Sequence, residues 1–337
     1  MHVPFAQELP FSRVLAFLCM LALLRARSCL RALGFSRALA FSRALPFPRA
    51  LPFPRALPFP RALPFFAACL AASLAAGAGH AEIRTVTRGD AAIECRVDGR
   101  GPAVLMIASL GRPAEDFDAL AARVAGAGYT AVRPQPRRVG ASRGPMQGLT
   151  LHDLALDALA CVPDPTGRVV AIGHAFGQRV ARTLATEWPE RVAGVVMLAA
   201  GGKAAMKPGA REALTAVFDP TLPADRHLHA VEVAFFAPGN DPAVWRNGWF
   251  APVAQMQSAA TRASPVERWW SAGRAPMLVV QGVQDAVAPP ENGRALAAEF
   301  GARVILHEID GAGHAMLPER PEEIAARVLE FLARVAR

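Results

Sequence analysis

Beyond residue 82 the apolar positions of this 337-residue chain keep two rhythms. Largely apolar segments rich in β-branched residues lie at 103–107, 129–134, 168–172, 192–198, 277–281 and 303–308, and those at 103–107 and 192–198 are unbroken, the pattern of strands buried on both faces of a parallel sheet. Two further stretches, 83–88 and 91–97, flank Gly89-Asp90 and predict an antiparallel hairpin. Elsewhere apolar residues recur at three- and four-residue spacing. That spacing predicts helices at 115–127, 150–161, 178–187, 291–300 and 322–335. Gly128 ends the first, and Thr150 with Asp153 three residues on forms a capping box for the second. Strands alternating with helices imply an α/β fold, a mostly parallel eight-stranded sheet flanked by helices with right-handed crossovers.

Residues 203–267 break this rhythm. They carry Pro, Gly and the aromatics Phe235, Phe236, Trp245, Trp249 and Phe250, with only short helical patterns. Linkers are not this apolar. The segment reads as a small helical cap inserted between core segments 82–202 and 268–337. Within it His227 and His229 are two residues apart and would share one face of a strand. No acid or Cys stands near them at metal-ligand spacing.

Residues 1–81 differ in kind. A hexapeptide starting Arg31-Ala32-Leu33-Gly34-Phe35-Ser36 recurs to Phe66 and gains two prolines per copy, which excludes a helix or a sheet ladder. It reads as an extended, disordered leader. A tandem DNA expansion, or a start placed too far upstream, accounts for it better than a lipid-binding arm. Residues 61–81 then run from an arginine through an apolar core to Gly79-His80-Ala81, the layout of a secretory signal. Cleavage is expected after Ala81, giving an exported protein, periplasmic or secreted, with no integral span in the mature chain. Two lesser readings attach here: a lipoprotein site ending at Cys69, and an anchor at 14–24 if the long start is real.

Charge changes the picture little. The formal net charge is +9, but residues 1–81 hold nine Arg and one acid, which leaves +1 for the rest. A nearly neutral mature chain gives no reason to expect a nucleic-acid partner. Three of five cysteines fall in the leader, leaving Cys95 and Cys161. With Cys95 on an edge hairpin and Cys161 at a helix end, the expectation is two small buried apolar residues rather than a bridge.

The chemistry concentrates at four places. Gly173-His174-Ala175-Phe176-Gly177 lies between a buried strand and a helix and has the G-x-S-x-G frame, with alanine where the serine belongs. Gln281-Gly282-Val283-Gln284-Asp285 follows a later strand. Asp310-Gly311-Ala312-Gly313-His314 follows the last strand and precedes Pro318-Glu319-Arg320-Pro321. The segment 134–142, Pro-Gln-Pro-Arg-Arg-Val-Gly-Ala-Ser, is the fourth. In this order and spacing, residues 83–337 resemble the α/β-hydrolase superfamily, whose nucleophile elbow, acid loop, histidine loop and D-x-R-G-x-G-x-S segment these match. The resemblance implies an α/β-hydrolase fold with a cap. It implies Ala175 at the nucleophile position, His314 as general base, and Asp285 orienting its imidazole. The Phe176 N–H and a loop N–H near Leu110 would bind an oxyanion, although this chain has Ala108-Ser109 where the family usually carries His-Gly.

Three functional readings follow. The first is hydrolysis of a small apolar ester, amide or lactone by the His314–Asp285 pair without a serine nucleophile; the family's lyase or cofactor-free oxygenase chemistry would use the same histidine. In the second, Ser109, in the loop following a strand that should neighbour the elbow strand, replaces the nucleophile, against the ordinary reading of a helix-capping serine. The third is a non-catalytic binder of small molecules on the same fold. His174, Trp245, Trp249 and Phe235 are the expected pocket walls. Arg112, Arg137 and Arg138 read as solvated loop charges. No dinucleotide, P-loop or zinc pattern occurs, so the expected partner is a small-molecule substrate, with no cofactor, no metal and no implied oligomeric state.

Overall fold

The computed structural model describes residues 81–336. The readings placed on residues 1–80, the repeat and the signal segment among them, lie outside that range.

Eight strands, β1 (Glu82–Arg88), β2 (Ala91–Gly99), β3 (Ala103–Ile107), β4 (Thr130–Pro134), β5 (Val169–His174), β6 (Val192–Leu198), β7 (Met277–Gly282) and β8 (Val304–Ile309), form one sheet. Their order is β1-β2-β4-β3-β5-β6-β7-β8. β2 pairs antiparallel with β1 and β4, and the other pairings are parallel. This is the expected eight-stranded, mostly parallel sheet flanked by helices. Among the described residues nine α-helices accompany it: α1 (Asp118–Gly126), α2 (Leu151–Ala160), α3 (Phe176–Glu187), α4 (Ala210–Val217), α5 (Ala224–Phe235), α6 (Ala251–Arg262), α7 (Glu291–Phe300), α8 (Met316–Glu319) and α9 (Pro321–Val335).

The two-residue period of the strands divides the core into two layers. In β5, Val169 and Ala171 pack with Leu151 and Ala155 of α2 and Val180 and Leu184 of α3. Val170 and Ile172 face the other way, with Leu120 and Val124 of α1 and Ile324, Val328 and Phe331 of α9. Each of the Val, Leu, Ile and Phe side chains removed from water contributes about 1.5–3 kcal/mol. α2 starts with the expected capping box: the Thr150 N–H donates to Asp153 Oδ2 (2.9 Å), and the Thr150 side chain accepts from the N3 backbone.

Several expectations are corrected. Cys95 and Cys161 form a disulfide, with Cα atoms 5.4 Å apart. β2 is not an edge strand, because β4 flanks its other side and sets Cys95 opposite Pro134. The C-terminus of α2 comes down over that position, and Arg84 of β1 donates to the Cys161 carbonyl (2.7 Å). His227 and His229 lie on α5, not on a strand. Two residues along a helix point to different faces, and the His227 Nε2 donates to the Val217 carbonyl (3.1 Å). Arg137 is buried rather than solvated, and its fork grips Asp157 at 2.6 and 3.1 Å. The predicted helix at 115–127 is split by a 3₁₀ turn, Ala114–Phe117. Between β6 and β7 the chain forms three helices, α4, α5 and α6, longer than its Pro- and Gly-rich pattern suggested. Among the described residues no helix is long and apolar enough to cross a membrane, and no group of three or more His, Cys, Asp or Glu is placed to hold a metal ion.

Candidate active site

The central strands end at one edge, and the loops leaving them there build the site. β5 passes into α3 through Ala175, whose backbone sits at φ 50°, ψ −106°. This conformation costs an L-residue about 1–3 kcal/mol and persists only when its surroundings fix it. The Ala175 N–H is held by the Leu198 carbonyl at the end of β6 (2.8 Å). Both flanking glycines are sterically required. A Cβ on Gly173 would lie 2.2 Å from the Gln178 nitrogen, and one on Gly177 would lie 2.0 Å from the Ile107 carbonyl oxygen. Strand β3, helix α3 and the elbow are therefore packed backbone against backbone.

The N-terminus of the twelve-residue α3 opens at Ala175. Among the described residues neither the Phe176 N–H nor the Leu110 N–H after β3 has an acceptor. Because β3 is the direct neighbour of β5, with Ile107 beside Gly173, two free donors stand on adjacent strand ends. The helix dipole adds positive potential at one of them.

Asp285 follows β7 and His314 follows β8. Their strands are paired out to Gly282 and Ile309, so the two loops leave side by side. The His314 Nδ1–H donates to Asp285 Oδ2 at 2.9 Å, with both side chains buried. Asp285 Oδ1 accepts from the Val287 and Ala288 N–H groups (2.9 and 2.7 Å), which fixes the carboxylate. Among the described residues His314 Nε2 makes no hydrogen bond, and His314 lines the same cavity as Ala175. The histidine loop is pinned by Glu319, which the sequence shows only as part of the motif at 318–321, with no role of its own. Glu319 accepts from the Gly313 N–H and, with its other oxygen, from the Ala237 N–H, both at 2.7 Å. Burial raises its pKa, against the pull of these bonds.

The expected walls divide. Phe235 lines the cavity and lies 5.5 Å from the His314 ring. His174, Trp245 and Trp249 do not line it. Trp245 and Trp249 pack on Phe235 (5.7 and 5.1 Å) and clasp the Arg112 guanidinium, 4.4 Å from each ring. Arg112 is buried and forks onto Asp116, not solvated as expected. His174 is fully buried, and its Nε2–H donates to the His314 carbonyl (2.8 Å). Burial, then the neighbouring His314, pushes its pKa down to about 3.

Ser109 is buried at the cavity wall, and its hydroxyl makes no hydrogen bond among the described residues. The turn that follows is led by Pro113 with no side-chain cap, so Ser109 does not cap a helix. Gln257 of α6 accepts from the Gly111 N–H (2.7 Å) and ties this loop to the inserted helices. The cavity encloses about 410 Å³, and its lining includes Arg179, Arg211 and Arg262. None of the three was marked in the sequence, because no local pattern separates an arginine facing a cavity from one facing solvent.

A family model described as the alpha/beta hydrolase family matches residues 104–327. "Protein ABHD8" of Bos taurus is 28% identical over 223 residues, 61% of this chain and 50% of that protein. The chain thus spans about half the length of the first curated relatives it matches. "Putative carbamate hydrolase RutD" of Variovorax paradoxus is 27% identical over 255 residues, 70% of this chain and 93% of that protein. Among solved structures, a hydrolase from Pseudomonas aeruginosa superposes with a TM-score of 0.62 at 24% identity, covering 76% of this chain and 99% of that one. An eight-stranded sheet, a glycine-flanked elbow and a family match over most of the described residues agree: the chain belongs to the alpha/beta hydrolase family.

Proposed function

We propose that the protein hydrolyses a small ester, amide or lactone by general-base catalysis without a covalent intermediate. The observation that carries this reading is the buried His314–Asp285 pair, whose free Nε2 borders the cavity shared with Ala175. A methyl group at 175 offers no proton to that base, so water is the nucleophile. His314 Nε2 takes a proton from the water as its oxygen bonds to the substrate carbonyl carbon. Asp285 holds the tautomer and balances the imidazolium. The Phe176 and Leu110 N–H groups donate to the developing oxyanion. The carbon–heteroatom bond then breaks, and the proton passes from Nε2 to the leaving group. Triads stripped of their nucleophile retain about 10³–10⁴-fold acceleration over water, which sets the scale of activity expected.

Ser109 supports a second reading. Its hydroxyl is unpartnered and on the same cavity, so it can take the place of the water as attacking group. Short-chain 4-nitrophenyl esters separate the readings. Activity lost in His314→Ala and kept in Ser109→Ala supports the water mechanism, whereas loss in Ser109→Ala with the fold intact assigns the attack to Ser109. Ala175→Ser is expected to raise turnover by at least about tenfold, since every other part of a serine triad is present. Background rates unchanged by His314→Ala would abandon catalysis in favour of a binding protein.

A further inference from the structure

The cavity beside Ala175 is built for an anion. Its lining includes Arg179, Arg211 and Arg262 and not one Asp or Glu. Arg88, Arg112, Arg133 and Arg137 each hold a carboxylate within 2.8 Å, whereas these three make no ion pair and no side-chain hydrogen bond among the described residues.

Arg179 is the critical member. It lies one helical turn beyond Ala175 on α3 and stacks on the Trp269 ring, 5.3 Å from its centroid. It is half-buried, and this burial lowers its pKa. Arg182, one turn nearer the α3 C-terminus, is fully buried against Trp269 and Trp270. It donates to the Trp270 and Gly201 carbonyls (3.2 and 2.7 Å) and meets no carboxylate. Among the described residues neither arginine has a carboxylate partner, and of the two only Arg179 reaches the cavity. Arg211 from α4 and Arg262 at the end of α6 add exposed positive charge at the rim.

We propose that the molecule bound in this cavity carries a carboxylate, received by Arg179 with Arg211 and Arg262, about one helical turn from the carbonyl held over Ala175. This rests on the hydrolytic reading only in calling that molecule a substrate. A guanidinium fork presents two parallel donors to a carboxylate. Anchoring the acid at a fixed distance from the elbow would also place the scissile carbonyl at the donors. The apolar wall of Phe235, Leu214 and Met206 would cover the carbon chain between the two groups. The substrate class narrows accordingly, from apolar esters to half-esters, half-amides or lactones of short dicarboxylic or hydroxy acids.

The test is calorimetric titration of the full chain with monomethyl glutarate and with dimethyl glutarate, which differ by one charge. The monoanion is expected to bind at least about tenfold more tightly, a preference that shrinks in about 0.5 M NaCl. Arg179→Met should abolish the preference. Arg211→Gln/Arg262→Gln, at two exposed positions where folding is not at stake, should reduce it severalfold. Equal binding of the two compounds, binding of neither, or an undiminished preference in both variants would overturn the proposal. The preference should persist in His314→Ala, so a failed esterase assay leaves this result standing, and loss of the preference leaves the esterase result standing.

Discussion

His174 shows how a single side chain can hold the site while taking no part in its chemistry. It ends β5, and its Nε2–H fixes the His314 carbonyl. Its other nitrogen, Nδ1, is buried without a partner. Protonation would put a charge there with no acceptor, next to His314 and Arg112, and its pKa falls to about 3 from 6.5. The folded state therefore refuses a proton that the unfolded chain accepts below about 6.5. Stability is full above that pH and falls on acidification toward about 3, by roughly 1.4 kcal/mol per pH unit for this one group. His174→Gln keeps a donor for the His314 carbonyl but does not titrate. Urea midpoints taken from pH 7.5 to 4.5 should fall less steeply in the variant, by about one proton's worth of slope. Parallel slopes in the two proteins would show that the acid sensitivity lies elsewhere.

At the scale of elements, close backbone approach is what makes the elbow. Gly177→Ala would drive a methyl into the Ile107 carbonyl at 2.0 Å, where neither strand nor helix can give way. A loss of about 3 kcal/mol or more is expected by urea denaturation, or failure to fold. At Gly126 of α1 nothing lies within 4 Å of an added Cβ, and alanine there should be neutral or stabilising by up to about 1 kcal/mol. Equal effects at the two positions would refute the steric account. The same packing explains what was legible in the sequence. Strands covered on both faces must be apolar throughout, so 103–107 and 192–198 were read to the residue. Pro, Gly and aromatic content hid α4, α5 and α6, whose helical faces are short and whose partners are one another and the loops. The elbow glycines were legible because no other residue fits. The arginines of the cavity were not, since burial of a long polar side chain depends on tertiary placement and leaves no period in the chain.

At the scale of the whole molecule, strand order decides what meets. Asp285 and His314 are 29 residues apart, and adjacent parallel strands bring their loops together. That placement follows from alternating strands and helices plus the motif order. The Cys95–Cys161 bridge follows from the one feature the alternation conceals, the return of β4 to the outer side of β3, which makes β2 an interior strand. The bridge spans a sequence separation of 66 residues and joins β2 to the end of α2. By loop-closure entropy a bridge of that span disfavours the unfolded chain by roughly 4 kcal/mol, less any strain in the folded one. A structural disulfide also belongs to an oxidising compartment, which supports the proposal that the chain is exported. Cys95→Ala/Cys161→Ala should therefore lower the unfolding free energy by about 2–5 kcal/mol, and dithiothreitol should do the same to the wild type and nothing further to the variant. Protein recovered from an export compartment should yield no free thiol at either position under denaturing alkylation. Two alkylated cysteines in that material, or a variant as stable as the wild type, would mean that the two sulfurs serve only as buried apolar atoms and that the oxidising address has lost its structural support.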